Sequence, residues 1–202
     1  MDFFGLFRRP PPIRDADAVG EFIDQHAAFV AQKGIYEYAR ARAGPYAKVL
    51  FREQTFLDAI EEARWRAFPL GLTMVAELVE GIVRPHANDD RVRHFDAFRD
   101  LVLSIFDRYP APPQIGEQMW GEMRDDVERR LKLLSLHPPK RAMDVPEPFA
   151  QAYWDLMPVH ENLRSQDFLT TRNYLRVTMC NIHDEFSQRV DVPAVNQSLL
   201  AA

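Results

Sequence analysis

Proline falls in clusters between periodic apolar segments, and this spacing limits the fold of the chain more than any other feature. Pro10–Pro12, the run Pro110, Pro112 and Pro113, and the pair Pro138 and Pro139 all lie outside the periodic stretches. A proline removes a backbone donor, and its ring clashes with the preceding turn, so such clusters stop helices. Between them, apolar residues recur at three- and four-residue steps, the period of a helix with one buried face.

Asp15 or Asp17 can cap a first helix to about Gln32, with Val19, Phe22, Ile23, His26, Phe29 and Val30 on one face. Lys33 and Gly34 loosen the pattern before a second stretch, Ile35–Ala43, which stops at Gly44-Pro45. Another helix runs to Phe68, where Pro69 kinks or ends it, and Leu70–Arg84 follows as a strongly apolar segment. Arg91–Tyr109, Gln114–Leu134, a short piece after Asp144, and Asp167–Arg189 complete the series. On Gln114–Leu134, Met119 and Met123 are read as inward-facing, and Asp125/Arg129 and Glu128/Lys132 as surface pairs. No window alternates with period two between turn residues, so no strand is expected. The fold class is all-α, an irregular bundle of roughly six to eight helices. Its expected organisation is an N-terminal arm (1–14), one helical domain (15–190) and a frayed C-terminal tail (191–202).

Composition narrows the function classes. The net charge is −5, which disfavours dedicated nucleic-acid binding. Cys180 is the only cysteine, so neither an internal disulfide nor a cysteine zinc cage can form. The longest apolar run, Leu70–Val83, is interrupted by Thr73, Glu77 and Glu80 and falls short of the ~20 residues of a membrane span. These features suggest a soluble cytoplasmic protein, with peripheral attachment to the inner face of a membrane as an option. No cofactor or metal is expected: the sequence lacks H-E-x-x-H, a phosphate-binding glycine loop and a nucleophile elbow.

Several clusters bear weighing. Cys180 and His183 share a helix face, with Arg176 one turn earlier; they suit a thiolate–imidazole pair or a buried cysteine beside a surface histidine. His26, in an apolar stripe, suits a ligand or a core histidine with a hydrogen-bonded ring. Glu77 and Glu80 suit an acid–base pair or a solvated face on which Glu80 pairs with Arg84. Tyr36, Tyr38, Arg40, Arg42, Tyr46 and Lys48 bracket Gly44-Pro45, an interleaving of rings and cations that binds anions or builds helix corners. His160-Glu161-Asn162 and the polar run Asn181–Glu185 read as caps or solvated faces. In the arm, Phe3, Phe4, Leu6 and Phe7 stand beside Arg8 and Arg9, a pattern suited to a membrane interface, a partner's groove, or the protein's own core.

The stretches Lys33–Phe51, Trp65–Gly81 and Asn173–Phe186 resemble an uncharacterised family of small all-helical bacterial proteins, and the resemblance spans nearly the whole chain. It implies a bacterial helical protein. Members sometimes carry an esterase-type label, although no serine here sits on a strand-to-helix elbow. The leading expectation is a non-enzymatic protein that binds another protein or a membrane surface. The alternatives are a small-ester hydrolase and a helical pocket for a metal or small apolar ligand near His26 and Glu77.

Overall fold

The computed structural model describes residues 11–87, 90–158 and 167–201. Among these the chain forms eight α-helices and no sheet. They are α1 (Ala16–Ala43), α2 (Ala47–Leu50), α3 (Gln54–Val83), α4 (Arg91–Asp107), α5 (Glu117–Leu134), α6 (Ala150–Asp155), α7 (Phe168–Arg189) and α8 (Val192–Ala201). The all-α reading therefore holds.

Helix α3 is the axis of the molecule. It is continuous through Pro69, where the sequence suggests a kink or an end. A proline inside a helix costs about 3 kcal/mol. From Ala67 to Glu80 nearly every residue of α3 is buried, which offsets that cost. A helix apolar on all sides belongs in the middle of a bundle, and α3 touches α1, α4, α5, α7 and α8. Thr73, one of the polar interruptions of the apolar run, is buried and donates its hydroxyl to the Pro69 carbonyl at 2.9 Å.

Helix α1 is also continuous where a break at Lys33-Gly34 is expected. Its long contact with α3 requires small residues: a Cβ on Gly71 would come within 2.9 Å of the Ala27 carbonyl oxygen. Asp15 caps α1 as expected, accepting from the Ala18 amide at 2.8 Å.

Both termini of the expected domain shift. Ile13 is not part of a loose arm: it is buried and forms a single parallel bridge with Val190, its amide donating to the Arg189 carbonyl at 2.9 Å. The tail expected to fray is helix α8, with Val195 and Leu199 buried in the core. Its dock is polar as well as apolar. Buried Asn196 donates to the Val83 carbonyl at 3.2 Å, so its Oδ1 is left to accept from His94 Nε2 at 2.8 Å. Burial lowers the His94 pKa, and the bond to Asn196 works against that shift.

Phe3, Phe4, Leu6, Phe7, Arg8 and Arg9 lie outside the described residues, as do His160, Glu161 and Asn162.

Candidate functional site

The expected clusters separate once placed on this frame. Cys180 is half-buried on α7, and no hydrogen bond joins it to His183. His183 Nδ1 faces Asp184 at 3.3 Å, and Arg176 lies 3.7 Å from Glu147. Neither expected partner is hydrogen-bonded to the thiol among the described residues. The corner residues diverge too: Arg42 pairs with Asp167 at 3.0 Å, Tyr36 packs edge-on against Phe51, and Tyr46 is exposed.

Glu77 and Glu80 lie on no solvated face. Both are buried, and cations reach in to meet them: Lys140 Nζ at 2.6 Å from Glu77, Arg84 Nε at 3.0 Å from Glu80. Arg84 also donates to the Leu134 and His137 carbonyls, both at 3.0 Å. The cluster thus pins the end of α5 and the following loop to α3. Burial pushes the Glu80 carboxyl up to about 7, with Arg84 lowering it and Glu77 raising it further. This is a structural latch, and neither glutamate lines the groove that holds His26.

His26 lies on a large groove, together with Asn181 and Glu185 of the polar run Asn181–Glu185. The groove runs between α1 and α7 and encloses about 440 Å³, within the range of ligand sites. The ring of His26 stacks on Phe22 with centroids 4.0 Å apart. Its Nδ1 meets the Phe22 carbonyl and its Nε2 meets Glu185, each at 3.1 Å. Both partners are acceptors, so both bonds are made together only by the protonated ring. Burial alone would raise the Glu185 carboxyl. Hydrogen bonds from His26 and Arg189 outweigh it and hold the group below its usual value.

The rim of the groove is apolar. Phe29 and Val177 remain 42% and 60% exposed on its walls. The sequence places Phe29 on the inner stripe of α1; the structure turns it to the groove, where Lys33 Nζ sits 4.9 Å above its ring. Gln25 and Thr178 supply polar wall groups that sequence reasoning passed over, and Asn181, read as part of a cap or solvated face, joins them. Their signal was weak, since a groove between helices from opposite ends of the chain leaves no local motif. A second groove, of about 430 Å³, lies between α3, α5 and α6. It is lined by Met119 and Met123, which the sequence assigns to the core, together with Pro69 and Leu156.

No group of three or more histidine, cysteine or acidic side chains fit for a metal occurs among the described residues. No helix among them is long and apolar enough to cross a membrane. No protein-family model, curated protein or solved structure matches the chain.

Proposed function

We propose that this protein is a non-enzymatic helical binding protein of the bacterial cytoplasm, and that it holds a segment of another protein in the groove between α1 and α7. One observation carries the reading. Phe29 and Val177 stand exposed on the two walls, while the floor groups His26 and Glu185 are already hydrogen-bonded to one another. An apolar rim over a satisfied floor offers surface to cover rather than a group primed to react. Two such anchors, at about 1.5–3 kcal/mol each when buried, support weak and reversible attachment.

The N-terminal arm supplies a second contact in this reading. The described body begins at Pro11, whose carbonyl accepts from Arg189 Nε at 3.2 Å. Arg189 in turn pairs with Glu185 on the floor of the groove. The arm thus joins the body beside the groove, and Phe3, Phe4, Leu6 and Phe7 are proposed to engage the same partner.

The test is capture of the partner from a lysate of the source cells by immobilised wild-type protein, Phe29→Asp, Val177→Asp and, as a control, Leu136→Asp. Leu136 is also an exposed apolar residue but lies after α5, away from the groove. Loss of one specific band in the two groove variants, with the control unaffected and all circular dichroism spectra alike, is the expected result. Identical capture by all four proteins would overturn the assignment. Co-sedimentation with anionic vesicles, with and without residues 1–12, tests membrane contact by the arm; equal pelleting excludes it.

A further inference from the structure

A smaller groove adjoins the first and shares Phe29 and Lys33 with it. It encloses about 310 Å³ between α1 and α3. Arg64 of α3 forms its far wall, facing Gln32, Lys33 and Tyr36 of α1. Arg64 has no ion pair and no hydrogen bond among the described residues, and its Nε is buried. Behind it lies a cavity of about 50 Å³ walled by Trp65, Phe68 and Tyr109. The guanidinium is therefore partly desolvated, with no carboxylate to compensate its charge among the described residues. Lys33 likewise has no ion pair among the described residues and is held over the Phe29 ring. A half-buried cation without a partner is costly, and an anion arriving from solvent relieves that cost. Glu37 lines the same groove, yet it pairs with neither cation.

We infer that this groove is a binding site for a small amphipathic carboxylic acid. The carboxylate sits between Arg64 and Lys33, and the hydrocarbon lies against Phe29 and Tyr36. Arg64 gives direction, because its planar fork accepts a carboxylate in one plane. The two rings give the apolar wall that inorganic anions cannot use. The site shares Phe29 and Lys33 with the partner groove, but binding of a small acid is read without any partner present, so its failure is distinguishable from failure of the partner reading.

The test is titration of the full chain with octanoate, followed by amide chemical shifts. Saturable binding with shifts confined to residues about Phe29–Glu37 and the turn around Arg64 is expected. Arg64→Gln should weaken it by about tenfold, Lys33→Gln by a smaller factor, and Glu37→Gln should strengthen it. Octanol and octylamine should not saturate the same shifts. Absence of saturation by octanoate, equal binding of octanol, or binding unchanged in Arg64→Gln would each overturn the proposal. Since Arg64 has no protein partner to lose among the described residues, Arg64→Gln is expected to keep the wild-type fold, and its unshifted spectrum away from the groove checks that.

Discussion

The hydroxyl of Tyr153 occupies the space that a side chain at Gly34 would need. A Cβ built on Gly34 overlaps Tyr153 Oη, and that hydroxyl donates to the Val30 carbonyl at 2.7 Å from a fully buried ring. Gly34 thus lets α6 seat against the middle of α1. The glycine that weakens the helix signal in the sequence is the position that allows its packing.

Gly34→Ala should therefore destabilise the protein by about 1–3 kcal/mol through overpacking, although alanine is the better helix former by about 1 kcal/mol. Tyr153→Phe alone should cost about 1 kcal/mol for the lost hydrogen bond. Removing the hydroxyl also makes room, so Gly34→Ala should cost less when combined with Tyr153→Phe. Urea unfolding of the two single variants and the double variant measures this coupling; strict additivity would contradict the geometry.

Acid should loosen the dock of α8. His94 is buried, and burial favours the neutral ring and lowers its pKa, outweighing the bond to Asn196 Oδ1, which works the other way. Between the folded value and the unfolded value of 6.5, the unfolded chain binds the extra proton. This stability is full above about pH 6.5 and falls as the pH drops below it. Hydrogen exchange should show α8 amides losing protection first between about pH 7 and 5. His94→Gln, which keeps a donor and cannot titrate, should flatten that response.

Glu80 works in the opposite sense. Its carboxyl is raised from 4.5 to about 7, so the folded chain holds a proton that the unfolded chain has released. Its contribution is greatest below pH 4.5 and is lost as the pH rises towards 7. In wild type this offsets part of the His94 loss on acidification. Glu80→Gln should therefore show a steeper fall in stability from about pH 7 to 5 than wild type, read from denaturant midpoints at each pH. A shallower fall would contradict the assignment.

The Glu77–Lys140 pair should prove the more fragile half of the α3 latch. Lys140→Met leaves the Glu77 carboxylate buried without its cation. Breaking a buried pair costs about 3–5 kcal/mol, and because Lys140 is a third exposed the loss should be nearer about 1–3 kcal/mol. Glu77→Gln in the same background should recover part of it, as thermal unfolding would show.

Helix identity was legible in the sequence because burial repeats with the helical period over long stretches. Interruptions were harder. Gly34 and Pro69 carry local signals for a break, yet Tyr153 and the shell of helices around α3 override both. The tail of small residues hid a docked helix because its anchor, Asn196, depends on His94 and Val83 from distant segments. For the same reason His26 alone of the groove read as a possible ligand, while Asn181 and Glu185 read as a cap or solvated face. Phe29 reads as core until α7 is in place, and Glu185 reads as solvent-facing until His26 reaches it. On α5, Glu128 pairs with Lys132 as the spacing indicates, whereas Arg129 turns to Asp126 rather than Asp125. Helix spacing allows either choice.

Whether the groove between α1 and α7 receives another protein is tested most directly by placing a photo-crosslinking amino acid at Val177 and, separately, at Leu136, then irradiating each variant in the source cells. One discrete adduct from position 177, absent from position 136 and abolished by Phe29→Asp, is the predicted result. No adduct from position 177, or the same adducts from both positions, would contradict it.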